Sequence, residues 1–191
     1  MLARLLIQPF GKIWNLKKLC FSKNIFISKS AKILYGFYQY ENNSAIAWNS
    51  TFKSEPFFPH GIKSIFISGG AKIGSDCIIF QQVTIGSNTL IDSKGIGAPS
   101  LGDNVYVGSG ATIIGAVKIG NNVRIGANTV VYQDVPDNSI VVSGEQKIIT
   151  KETKLDNRFY SFNNQWVYYS DGSYHQVTDE EKLKKLNILL K

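Results

Sequence analysis

The sequence has two cysteines, one methionine and five prolines in 191 residues, and each scarcity narrows what it can be. Cys20 and Cys77 stand apart, without the paired spacing of a metal knuckle or the density of a disulfide scaffold, so a reducing, cytoplasmic setting is expected. No apolar run approaches the ~20 residues of a membrane span. The start, MLARLLIQPF, puts Pro9 where a secretory apolar stretch would continue, so no export signal is expected. Histidine is also scarce, His60 and His175 being the only two. No His, Cys, Asp and Glu residues cluster at metal-ligand spacing, and no nucleic-acid motif stands beyond one basic segment, so neither partner is expected.

Acidic residues are missing from the whole first stretch. Arg4, Lys12, Lys17, Lys18, Lys23, Lys29 and Lys32 precede the first acid, Glu41, and account for the formal net charge of +7. Interleaved with Leu5, Ile7, Phe10, Ile13, Trp14 and Leu16, they make residues 1–24 a basic amphipathic segment. Two uses are open to it: a short helix packed on the main body, or peripheral contact with an anionic membrane surface or polymer.

Glycine, with 17 residues, is plentiful, and its placement is periodic. A branched aliphatic residue recurs every sixth position at Ile67, Ile73, Ile79, Ile85 and Ile91, and after one interruption at Leu101, Val107, Ile113, Ile119, Ile125 and Val131. Glycine follows many of them, as in Ile73-Gly74, Ile85-Gly86, Val107-Gly108 and Ile125-Gly126. A small or β-branched residue stands four positions after nearly every one, Ala71, Cys77, Val83 and Val105 among them. A period of six is foreign to an amphipathic helix and too regular for hairpins. It predicts a triangular coil in which each hexapeptide makes one side, the aliphatic residue points inward, and successive turns pair as parallel strands. Ile27 and Ile33 share the spacing, which extends the predicted coil over residues 25–149. The remaining 150–191 is an aromatic tail (RFYSFNNQWVYY) ending in a helix, with Thr178 and Glu181 at capping-box spacing and Leu183, Leu186 and Leu190 on one side.

The stretches IFQQVTIGSN (79–88), GAPSLGDNVYVGSGATIIGAVKIGNNVRIGANTVV (97–131) and DVPDNSI (134–140) resemble the hexapeptide-repeat acyltransferases, within them the serine acetyltransferase-like branch that includes capsule and exopolysaccharide O-acetyltransferases. The resemblance implies an all-β fold, a left-handed parallel β-helix, here with a short helical N-terminal segment and an aromatic, helical C-terminal tail. The left hand comes from the resemblance, because general crossover rules favour the opposite one. It also implies acetyl-CoA as co-substrate and a homotrimer with active sites between its subunits.

Counting the interrupted repeat as one side stacks the sides that begin at Ile85, Val107 and Ile125, so that Ser87, Ser109 and Ala127 form a column of small corner residues. In enzymes of the family the pantetheine arm lies along such a column. Arg124 and Lys147 are the candidate cations for the phosphates of the coenzyme. His60 stands where the family carries its catalytic histidine, and imidazole suits removal of a hydroxyl proton near neutrality. GIKSIFI after it is one residue longer than the usual spacing, which predicts a local bulge. Glu55 is the nearest acid in sequence and the candidate for orienting the ring.

Serine acetyltransferases carry an aspartate before that histidine and a second histidine before the proline of the interrupted repeat; Pro59 and Ala98 stand here instead. With Gly97-Ala98-Pro99, this favours a sugar hydroxyl of a capsular, exopolysaccharide or lipopolysaccharide unit as acceptor, ahead of serine. Trp166, Tyr168, Tyr169 and Tyr174 either stack on such a sugar or cover the flank of the coil. A coil without catalysis, serving as a trimeric scaffold or binding module, is the reading from a different class.

Overall fold

The computed structural model describes residues 8, 12–144, 158–170 and 173–190, with the side chains of Phe159 and Tyr169 excepted. From Ala45 to Val141 the chain winds into a three-sided parallel coil, each side a ladder of two- or three-residue strands. The first side stacks Ala45–Ile46, Phe66–Ile67, Thr84–Gly86, Thr112–Ile114 and Val130–Val131. The second stacks Thr51–Phe52, Lys72–Ile73, Ser100–Leu101 and Lys118–Ile119. The third stacks Ile78–Ile79, Tyr106–Val107, Arg124–Ile125 and Ile140–Val141. The predicted aliphatic positions point inward: Ile67, Ile79, Ile85, Val107, Ile113 and Ile125 have no exposed surface. Cys77 and Val83, four positions after such residues, fill the same core. A short strand suffices because its backbone groups pair with the turn above and the turn below, leaving only the two ends of the prism unpaired.

Corners hold the register. At the second-to-third corner Asn104, Asn122 and Asn138 all have φ near +56°, a left-handed conformation that asparagine tolerates. Their amides form a ladder, Asn104 Nδ2 donating to Asn122 Oδ1 at 3.0 Å and Asn122 Nδ2 to Asn138 Oδ1 at 3.1 Å. Asp103 ties the same corner across turns, accepting from the Ser75 N–H at 2.8 Å and from Lys53 Nζ at 2.7 Å.

Two expectations fail in the coil. The spacing of Ile27 and Ile33 does not open it: residues Ile25–Glu41 form a helix, capped by Asn24, whose side chain accepts from the Phe26 and Ile27 N–H groups. Two residues at matching spacing cannot set a period when flanked by helix-forming lysine, alanine, leucine and tyrosine without corner glycines, so the coil starts at Ala45. Nor is the interrupted repeat a side. Asn88 and Gly97 exchange backbone hydrogen bonds of 2.8 and 3.0 Å, closing the base of an excursion over 88–97 that leaves the coil after the first side and returns before the second.

Ile91, at the tip of that excursion, is buried with Tyr160, Trp166, Val177 and Leu186. These come from the tail, an antiparallel sheet of Phe159–Asn163, Gln165–Ser170 and Ser173–Gln176 followed by a helix, Glu180–Leu186, and a 3-10 turn over Asn187–Leu190. The helix is capped by Asp179 rather than Thr178: its carboxylate accepts from the Glu181 and Lys182 N–H groups, an acid that also suits the positive helix start. Trp166 and Tyr160 are therefore core of this appendage, whereas Tyr174 is exposed.

At the other end, helix α1 (Ile13–Leu19) and helix α2 (Ile25–Glu41) form a hairpin over the first turn. Trp14 stacks on Phe58 at 5.6 Å and meets Phe52 at 5.3 Å, so the described part of the leading segment, from Lys12 on, packs on the body. Lys17 is buried there, its ammonium donating to the carbonyls of Trp48 at 2.6 Å and Ser50 at 2.5 Å. Burial lowers its pKa from 10.5 to about 8, with the nearby Cys20 opposing the shift. Between those values the unfolded chain holds the proton and the folded one releases it, so this group makes stability rise with pH over that window. The difference in urea midpoint between wild type and Lys17→Met, followed from pH 7 upward, is expected to move in favour of wild type across it.

Candidate active site

His60 lies at the third-to-first corner. Phe57 pairs with Ile78 on the third side, and Phe66 begins the first side again. The chain between them is longer than a hexapeptide, and it absorbs the excess as two tight turns, Gly61 N–H to Phe58 carbonyl at 3.1 Å and Ile65 N–H to Ile62 carbonyl at 3.2 Å. Gly61 and Ser64 take φ of +72° and +55° there. This is the bulge the extra residue predicts, and it lifts His60 out of the wall onto the corner.

The ring is fixed by Gln81. His60 Nδ1 lies 2.7 Å from Gln81 Oε1. With the amide oxygen turned to the ring, Nδ1 is the donor and Nε2 keeps its lone pair, the tautomer a base requires. Phe80, whose ring meets the imidazole edge-on at 5.8 Å, and Tyr106, 5.1 Å from Phe80, wall one side of it. Gln81 is a residue that sequence reasoning missed. Its signal was positional: it stands two after Ile79, as Ser109 stands two after Val107 and Ala127 two after Ile125.

That corner defines the true column. Gln81, Ser109, Ala127 and Ser143 follow one another along the prism, because the strands before them stack in that order. Ser109 Oγ donates to the Gln81 carbonyl at 3.3 Å and Asn128 N–H to the Ser109 carbonyl at 2.9 Å. Gly108 keeps the edge thin, since a Cβ there would come within 2.7 Å of the Ala127 nitrogen.

Ser87 is not in this column. The excursion at 88–97 shifts the phase by one side, and Ser87 sits at the first-to-second corner, its hydroxyl 2.9 Å from that of Ser68. Ala98 is at the same corner, close to Gly70. Glu55 does not reach the imidazole; it pairs with Lys12 Nζ at 3.0 Å. Arg124 is exposed on the outer face of the third side, in register with Tyr106 and Ile140. Lys147 lies outside the described residues.

No other described group competes for the role. His175 stacks on Tyr168 and its Nε2 is within 3.0 Å of Ser173 Oγ and 3.2 Å of the Ser170 carbonyl, on the outside of the tail sheet. Cys77 and Cys20 are buried, and burial raises the pKa of both thiols, which removes them as nucleophiles. Among the described residues, no three His, Cys, Asp or Glu side chains are grouped to hold a metal.

Residues 98–133 match the model of the bacterial transferase hexapeptide family (six repeats). The chain is 41% identical over 96 residues to the serine acetyltransferase of Helicobacter pylori, covering 50% of this chain and 54% of that one. It is 31% identical over 128 residues to that of Bacillus pumilus, covering 67% and 58%. Among solved structures, serine acetyltransferase isoform 3 of Entamoeba histolytica in complex with cysteine superposes with a TM-score of 0.56 at 29% identity, over 73% of this chain and 48% of that one. The soybean enzyme complexed with serine gives 0.59 at 25%, over 72% and 56%. The chain spans about half the length of the curated relatives it matches. These likenesses establish the left-handed parallel β-helix.

Proposed function

From the match of residues 98–133 to the bacterial transferase hexapeptide model and the likeness to serine acetyltransferases, we propose that the chain is a hexapeptide-repeat acyltransferase that transfers an acetyl group from acetyl-CoA to a hydroxyl, with His60 as the general base. The observation that carries the reading is the His60–Gln81 hydrogen bond at the head of the Ser109–Ala127 column. His60 Nε2 removes the proton of the acceptor hydroxyl as its oxygen attacks the thioester carbonyl. The tetrahedral intermediate expels the thiolate, and the proton on His60 returns to that sulfur. No acyl-enzyme forms.

The column fits a pantetheine arm because its small side chains leave backbone edges within reach of an elongated ligand. Arg124 and Lys147 are the proposed phosphate contacts. One chain supplies a single wall of this groove. A homotrimer in which the first-to-second corner of a neighbouring copy faces His60 brings Ser87 and Ala98 to the other wall, and we assign both to the site on that basis. Gln81→Leu removes the tautomer lock and is expected to lower turnover at saturating acetyl-CoA about fivefold to tenfold, the worth of one hydrogen bond.

Two acceptors divide the support. The name carried by the relatives favours L-serine. Pro59 and Ala98 at the two positions where serine acetyltransferases place acid and imidazole favour a saccharide hydroxyl. Thiol release from acetyl-CoA, measured with L-serine and with a panel of acidic and neutral oligosaccharides, separates them. Release stimulated by serine alone retires the saccharide, and the converse retires serine. No release with any acceptor, together with absent CoA binding by calorimetry, sinks the enzyme reading in favour of a scaffold.

A further inference from the structure

Helix α2 is apolar on both sides. Ala31, Tyr35 and Gln39 face inward and are buried. On the opposite side Phe26, Ile33 and Tyr40 are 79%, 73% and 80% exposed, with Phe37 between them at 37%. Their spacing of seven, four and three residues puts them in one stripe along the helix. At the turn between α1 and α2, Phe21 and Ile25 are also exposed, at 55% and 59%. A helix that only packs on its own domain carries polar residues on its outer side, so this side has a partner.

The charge along the stripe before Glu41 is of one sign. Lys18, Lys23 and Lys29 are exposed beside it, and no acid occurs before Glu41. Lys29 lies on the stripe itself, where its methylene stem can lie along apolar surface while the ammonium reaches outward. Between the two helices a groove of about 330 Å³, lined by Leu16, Leu19, Phe26, Ile27, Ala31 and Leu34 with Ser30, opens at the same end. We propose that the α1–α2 hairpin docks this protein on an anionic lipid bilayer, the stripe entering the headgroup layer and the lysines meeting phosphate groups.

The alternatives each explain half of the surface. A second copy in a two-fold contact would cover the apolar stripe, yet such a contact brings the same lysines together and they repel; a ring contact leaves the lysines without an anionic partner. A soluble polyanion would satisfy the lysines and leave Phe26 and Ile33 in water. A bilayer with acidic headgroups satisfies both. None of these side chains is assigned to the His60 site, so this proposal stands or falls independently of the reaction.

The test is co-sedimentation of the full chain with vesicles of phosphatidylcholine alone and of phosphatidylcholine mixed with phosphatidylglycerol. Binding is expected to the mixed vesicles and not to the neutral ones. The triple variant Lys18→Gln, Lys23→Gln, Lys29→Gln should bind roughly a hundredfold more weakly, each surface lysine contributing about one power of five. The double variant Phe26→Ser, Ile33→Ser should also lose binding with every lysine in place, which separates insertion from mere attraction to a polyanion. Absence of binding, or equal binding to both vesicles, overturns the proposal. So does a Phe26→Ser, Ile33→Ser variant that binds as wild type but dissociates an oligomer in sedimentation equilibrium, an outcome that gives the stripe to a second copy.

Discussion

His60→Ala is expected to lower acceptor-dependent thiol release by roughly 10²- to 10⁴-fold, the range general-base catalysis supplies, while changing the affinity for CoA by no more than a few-fold. The two readouts part because the ring meets only the thiol end of the coenzyme, beside Gln81 and Phe80 at the column's head, and the rest of the arm is proposed to lie along the column. His175→Ala serves as the control and should retain wild-type turnover, since its ring is engaged with Ser173 and the Ser170 carbonyl on the far appendage. A His60→Ala enzyme with turnover within a few-fold of wild type would mean that another group takes the proton.

Ile113→Ala is expected to produce the largest loss of stability, about 2–5 kcal/mol. Ile113 is fully buried in the middle of the first side, with Ile85 in the turn before it and Val131 in the turn after. Ordinary cores soften such a truncation by collapsing. Here the strands on either side are pinned at their own spacing by hydrogen bonds to both neighbours, Thr84 N–H to the Ala111 carbonyl at 2.9 Å and Thr112 N–H to the Thr129 carbonyl at 2.8 Å. The cavity therefore stays open. Ile140→Ala, at a position 67% exposed, should change stability by less than about 0.5 kcal/mol. Urea unfolding of the two variants checks the contrast, and equal midpoints would contradict an inward-facing hexapeptide core.

The period of six was readable because one physical requirement, an aliphatic residue inside every side, recurs without exception from Ile67 to Ile85 and from Leu101 to Val131. What that requirement cannot tell is why a given aliphatic residue is buried. Ile91 satisfies the spacing and is buried, but against Tyr160 and Trp166 of the tail, outside the coil. Counting it as a side moved Ser87 into a column where Gln81 belongs. The same ambiguity drew Ile27 and Ile33 into the coil, when they lie on α2. His60 is singled out as the candidate base by the motif that follows it, whereas the side chain that holds its ring is not legible there. The acid nearest in sequence, Glu55, is engaged by Lys12, and the amide that holds the ring comes from the next turn, at a distance of 21 residues along the chain. Partners across a coil are set by the number of residues per turn, and an excursion or bulge between them hides that number.

The structure of the protein with bound CoA tests the central claim most directly. The thiol should lie within about 3–4 Å of His60 Nε2, close enough for proton transfer, with the pantetheine arm running past Gln81, Ser109 and Ala127. Coenzyme bound with its thiol beyond hydrogen-bond reach of His60, or along a corner that His60 does not face, would contradict it.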